Sequence, residues 1–148
     1  MGAAAVAMPH FDAWLREAPA PVIDHRRFGA VRASFRRESQ GFLWECLDLV
    51  PTPRGLADLE FEAGAYGPNI AHEQQLYAIL ANLEALTRAA ASAISEQISG
   101  CVELEWQGAL LTGRAGTFEL HFWCRGDTEA LVSVAFERSG PIDVRFDE

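Results

Sequence analysis

Apolar and polar residues alternate along most of this chain, and one stretch with helical spacing interrupts them. From about Asn69 to Ser99 the apolar residues Leu76, Ile79, Leu80, Leu83, Leu86, Ala90, Ile94 and Ile98 recur mostly at intervals of three or four. That spacing draws a single apolar stripe down an α-helix. Gly67-Pro68-Asn69 is a turn followed by a good N-cap, because the Asn69 side chain can accept a backbone N–H that the first turn leaves unpaired. Glu73 suits the positive end of the helix dipole, and Gly100 supplies a left-handed stop. The sequence therefore predicts one long helix over about 69–99, with Gln75, Asn82, Arg88, Ser92 and Glu96 on its polar side.

Period-two patterning predicts strands before and after that helix. Val31, Ala33 and Phe35 alternate with Arg32, Ser34 and Arg36, and Phe42 to Val50 is apolar enough for a central strand. Past the break at Pro51–Gly55, Ala57, Leu59, Phe61 and Ala63 point one way and Asp58, Glu60 and Glu62 the other. After the helix, Val102, Leu104 and Trp106 alternate with Cys101, Glu103 and Glu105; Phe118, Leu120, Phe122 and Cys124 alternate with Glu119, His121 and Trp123. Leu131 to Glu137 and Ile142 to Phe146 complete the set. The expectation is an α+β fold, a mostly antiparallel sheet of about six to seven strands with the long helix packed on one face. Residues 28–148 read as one such domain, and residues 1–27 as a partly disordered leader with a short helix over Phe11 to Glu17.

At 148 residues the chain is large enough for one substantial core. All twelve basic residues are Arg, which reads as a coding bias of the source genome. Charge is divided unevenly. Residues 1–37 carry six Arg against three acids, a balance of +3; residues 38–148 carry eighteen acids against six Arg, a balance of −12, giving the net −9. An acidic body repels nucleic acid and anionic lipid and favours a basic partner, although acidity also serves plain solubility. No apolar run approaches the ~18 residues of a membrane span. The opening Met1–Ala7 lacks the basic flank of a signal peptide, so the expected location is the cytoplasm.

The candidate chemistry is sparse. Three cysteines without an export signal argue against a disulfide framework, and Cys46 and Cys124 fall in apolar strand contexts. His121 and Cys124 are three residues apart, on opposite faces of a strand, so they cannot share a metal ion. No metal or cofactor is expected. The best enzyme candidate is a cross-strand pair on the outward face: one register sets Cys101 opposite His121, and a slip of two sets Glu103 there instead. The plainer reading is an open sheet face dotted with polar residues. His72 reads as a neutral surface residue, and Arg26, Arg27, Arg32, Arg36 and Arg37 as solvated or as neutralising the chain's own acids. Trp14, Trp44 and Trp106 read as core, whereas Trp123 shares the outward phase of Glu119 and His121.

Strands, a long helix opening with Gly-Pro-Asn-Ile-Ala-His-Glu-Gln-Gln-Leu-Tyr (Gly67 to Tyr77) and further strands together resemble small acidic immunity-type domains of bacterial toxin–antitoxin and polymorphic-toxin systems. The resemblance covers about residues 28–146. It implies a cytoplasmic, non-catalytic protein that occludes a cognate toxin, and it carries over no site residues. The expected partner-binding set is Asp58, Glu60, Glu62, Glu103, Glu105, Glu119, His121 and Trp123: carboxylates for a basic protein, with an aromatic anchor. Two alternatives stand beside it: a secretion-type chaperone for an effector, and a small enzyme using His121 with Cys101 or a nearby carboxylate. A deep pocket at His121 would favour the enzyme and a flat sheet would disfavour it. The oligomeric state, monomer or homodimer, is not legible.

Overall fold

The computed structural model describes residues 22–36, 41–126, 129–138 and 140–147, with the side chains of residues 35, 36, 101 and 102 left out. The short helix expected over Phe11 to Glu17, Trp14 and Arg37 lie outside the described residues.

The chain forms nine strands and two helices among these residues: β1 (Val22–His25), β2 (Gly29–Arg36), β3 (Gly41–Cys46), β4 (Val50–Thr52), β5 (Gly55–Ala63), α1 (Ile70–Ala81), α2 (Leu83–Ser95), β6 (Cys101–Leu111), β7 (Phe118–Gly126), β8 (Ala130–Glu137) and β9 (Gly140–Asp147). The sheet runs β1-β2-β3-β5-β6-β7-β8-β9, with β4 folded back on the start of β5. It is an α+β fold whose sheet is antiparallel everywhere except at its centre, where β5 and β6 are parallel. The helices supply the crossover that a parallel pair requires. Two antiparallel meanders therefore meet at one seam.

The expected six to seven strands become nine for two reasons. Val22–His25, assigned from sequence to the leader, pairs with Gly29–Arg32 as an edge strand. The apolar run Phe42 to Val50 is divided: β3 ends at Cys46, and Val50 begins a short hairpin with Ala57. The single long helix is likewise corrected to two. Asn82 has φ −119° and ψ 16°, outside the helical region, and serves both as the C-cap of α1 and as the N-cap of α2. Its Nδ2 donates to the Ala78 carbonyl at 2.9 Å, the back-bonding by which Asn competes with a helix for its own backbone.

Both helices pack on the face presented by Val31, Trp44, Leu59, Phe61, Leu120, Phe122 and Val134. Leu76, Ile79 and Leu80 of α1 join Leu83, Ala90 and Ile94 of α2 in this core. At the start of α1 a capping box closes the first turn: Asn69 Oδ1 accepts from Ala71 N at 2.9 Å, and His72 Nδ1 accepts from Asn69 N at 3.1 Å. His72 is thus buried, not on the surface. With Nδ1 accepting, Nε2–H donates to the Glu62 carbonyl at 2.8 Å, so the ring is neutral; burial pushes it below the ordinary imidazole value. Gln75, expected on the polar side, is buried too. It donates to the carbonyls of Arg114 (2.6 Å) and Thr117 (2.9 Å) and accepts from the N–H groups of Thr112 (2.9 Å) and Gly113 (3.0 Å), tying α1 to the β6–β7 connection.

The cysteine expectation also needs correction. Cys124 is disulfide-bonded, while Cys46 is a free, buried thiol whose pKa burial raises to about 12. Spacing along the chain did not reveal this bond, because a disulfide depends on which cysteines the fold brings within reach. Among the described residues, no helix is long and apolar enough to cross a membrane.

Candidate functional site

Among the described residues no helix lies against the second face of the sheet, and its residues follow from the strand registers. In one row Asp58, Gly108, His121, Ser133 and Arg145 stand side by side across β5 to β9. In the next row Glu45, Glu60, Leu110, Glu119, Ala135 and Asp143 do the same from β3 to β9. The alignment depends on an irregularity in β6 between Trp106 and Gly108, which adds one residue and reverses the phase of the strand. Before it Leu104 and Trp106 face the core; after it Ala109 and Leu111 do. Gly108 is required at this point, since a Cβ there would lie 1.9 Å from the Asp58 carbonyl oxygen across the parallel seam.

These two rows border a concavity of about 350 Å³ lined by, among others, Leu43, Asp58, Glu60, Leu110, Glu119, His121, Ser133 and Arg145. Glu119 is the best-partnered acid in it. Arg145 donates to its carboxylate at 2.6 Å, and His121 Nε2 stands 3.7 Å from the same oxygen. His121 first, then Arg145, hold the Glu119 carboxyl below its ordinary value against the opposing effect of burial. At 3.7 Å the His121 contact is longer than a hydrogen bond, so Arg145 is the firmer geometric partner. Glu60 is in the reverse situation. Partial burial raises its carboxyl, helped by the neighbouring charges of Asp58, Glu45 and Glu119 and opposed by His121. It makes no hydrogen bond or ion pair among the described residues.

Of the eight residues expected from sequence, Asp58, Glu60, Glu119 and His121 meet in this concavity. Glu62 lies on the same face farther along β5, opposite Leu43. Glu105 stands opposite Trp123 and pairs with Arg125 at 2.7 Å, while Glu103 faces Arg125 in register. Trp123 is half-buried and lines a separate hollow with Ile98, Leu131 and Phe146. Neither register weighed from sequence occurs: His121 lies opposite Gly108, and Cys101 pairs with Gly126, so no Cys101–His121 or Glu103–His121 pair exists. The offset is already present before the extra residue of β6, where Trp106 pairs with Phe122 and Glu103 with Arg125. Of the enzyme alternative, only His121 beside a carboxylate survives, and that carboxylate is Glu119 on the same strand.

Sequence reasoning missed Leu43, Leu110, Ser133 and Arg145. Ser133 and Arg145 carried a usable signal, since both fall out of phase with the apolar residues of their strands. Of the N-terminal arginines, Arg26 pairs with Glu73 at 3.2 Å and Arg32 with Glu45 at 2.6 Å, neutralising the chain's own acids, and Arg27 lies over the Tyr77 ring. Among the described residues no group of three or more His, Cys, Asp or Glu could hold a metal ion. No protein-family model, curated protein or solved structure matches this chain.

Proposed function

We propose that this domain is a non-catalytic binding module whose open sheet face engages a basic protein, as an immunity-type domain occludes its toxin. What carries the reading is the charge balance of that face. Among the described side chains, three arginines on it are each held by an acid of the same face: Arg32 by Glu45, Arg125 by Glu105 and Arg145 by Glu119. Asp58, Glu60, Asp143 and Asp147 are left over with no cation partner among the described residues. A surface so arranged attracts a basic partner at long range and repels an acidic one. The disulfide at Cys124 supports an oxidising compartment over the cytoplasm as the place of that encounter.

The test is affinity capture with the wild-type chain and a rim variant, Glu62→Lys/Glu103→Lys/Glu105→Lys, at low and high salt. The expected result is one stoichiometric basic protein, released by salt and absent from the rim variant. Equal capture by both chains would exclude this face as the partner surface.

A second reading has one observation in its favour. Glu60 and Glu119 share the concavity with their carboxyls pushed in opposite directions, the condition under which one can donate a proton and the other accept it. A screen of ester, glycoside and phosphoester substrates decides it. Turnover lost in both Glu60→Gln and Glu119→Gln would support an enzyme, and turnover in neither wild type nor variants would remove the case.

A further inference from the structure

We infer that the concavity is an anchor pocket for one Lys or Arg side chain of the basic partner, with the alkyl stem over Leu110 and the cationic end between Asp58 and Glu60. The inference rests on the proposed reading of the open face and names the chemistry at its centre.

Three independent features of the pocket point the same way. Ser133 is only 8% exposed, yet it lines the concavity and its hydroxyl has no hydrogen-bond partner among the described residues. Nor is that hydroxyl sealed off, because the only buried side-chain polar atom lacking a partner there is Trp106 Nε1. A buried hydroxyl left open to a cavity is a site for a ligand's polar group, since a hydroxyl both donates and accepts. The second feature is Arg145. It already lays its guanidinium on Glu119 at 2.6 Å at one side of the concavity, so the protein itself seats a basic side chain on one acid of the lining. The Glu60 side has the same kind of lining, and among the described residues no arginine pairs with it. The third is the floor: Leu110 is buried and apolar, and Gly108 beside it has no side chain, so an aliphatic stem can lie there while its charged head reaches a rim acid. About 350 Å³ is at the low end of ligand-pocket sizes, which run from about 300 to 1,000 Å³, and suits one side chain better than a folded element.

The probes are Nα-acetyl-lysine amide and Nα-acetyl-arginine amide, titrated into the full chain and followed by amide and side-chain carboxyl NMR. Nα-acetyl-norleucine amide is the uncharged control. The expected result is saturable binding near 1 mM, on the order expected for a dozen heavy atoms. Shifts should centre on Leu110, His121 and Ser133, with norleucine amide at least about tenfold weaker. Glu60→Gln should weaken the cations about tenfold, Ser133→Ala by a smaller factor, and Glu96→Gln on the far side of the domain not at all. The Glu60 carboxyl should titrate at lower pH when the cation is bound, even though Asp58, Glu45, Glu119, His121 and Arg145 also face it. Binding that ignores Glu60→Gln, or equal binding of norleucine amide, overturns the pocket. If the capped cations fail while the rim variant still loses its partner, the anchor is wrong and the binding face stands. If they bind at Glu60 while the rim variant keeps its partner, the cation site is real but the face is not the partner surface, and the anchor role falls with it.

Discussion

The two faces of this sheet are made of alternate residues of the same strands, yet their finishing differs at every step. On the covered face Leu59, Phe61, Leu111, Leu120 and Phe122 are fully enclosed by one another and by the helices. One residue along, Asp58, Glu60, Glu62, Leu110, Glu119 and His121 mix charge with a patch of apolar floor. Removal from water drives the covered face, and it tolerates little change in shape. The open face contributes little to folding and is free to be tuned for something else. Adjacent positions on β5 give the sharpest contrast. Phe61→Ala should cost about 3–5 kcal/mol, the range for deleting a buried aromatic ring, read as a lower urea midpoint at unchanged slope. Glu62→Ala should stay within about 0.5 kcal/mol of wild type. Similar costs for the two would mean that the faces are not as different as their burial.

The contrast weakens where the two faces touch the same backbone, and two substitutions probe that. Gln75→Leu removes four hydrogen bonds from a buried amide and strands the groups around residues 112–117, for an expected loss of about 1–3 kcal/mol. Gly108→Ala places a methyl group against the Asp58 carbonyl and must push the parallel seam apart, costing about 1–3 kcal/mol as overpacking does. The second should also perturb the amide resonances of Asp58 and His121, because one glycine holds the seam closed and sets the floor of the concavity. A Gly108→Ala chain with wild-type stability and wild-type amide spectra would show that the two faces are built independently.

The legibility of the fold follows the same division. Period-two patterning in β2, β5 and β7 placed residues on the correct faces, because one buried face enforces alternation on every strand that shares it. Patterning failed where the chain broke period. The extra residue in β6 shifts the phase by one, and no composition signal marks Gln107 as the odd residue. Asn82 divides the helix while sitting on what looked like an uninterrupted polar side. The gathering of Asp58, Glu60, Glu119 and His121 was half legible: their shared outward phase was visible, but their adjacency needed the strand order β5-β6-β7, which pairs distant segments. Gln75 and His72 were misplaced for a related reason. Polar residues were assumed to face water, whereas both satisfy backbone groups that the core would otherwise strand.

The smallest expected effect separates Glu60 and Glu119, two of the acids that line the concavity, from the buried histidine behind them. Glu60 has a raised carboxyl in the folded chain, so the folded state holds that proton more tightly than the unfolded one. Stability should therefore fall as pH rises through the region above its ordinary value of 4.5, and Glu60→Gln should remove that fall and slightly stabilise the chain at neutral pH. Glu119 is lowered, so its contribution is present above 4.5 and lost as pH drops below it; Glu119→Gln should destabilise at neutral pH and remove the acid-side loss. Both effects belong under about 1 kcal/mol, because these groups are half-open to solvent and screened by it. His72, lowered by burial from 6.5, behaves like Glu119 in sign: its contribution is lost as pH falls below 6.5, when the unfolded chain takes up a proton that the folded chain resists. Urea midpoints measured from about pH 2.5 to pH 8 for wild type and the two Glu variants distinguish the three. If Glu60→Gln and Glu119→Gln shifted the profile in the same direction, the two carboxyls would not stand in opposed environments. The open face would then be a uniform acidic surface with no pocket of its own.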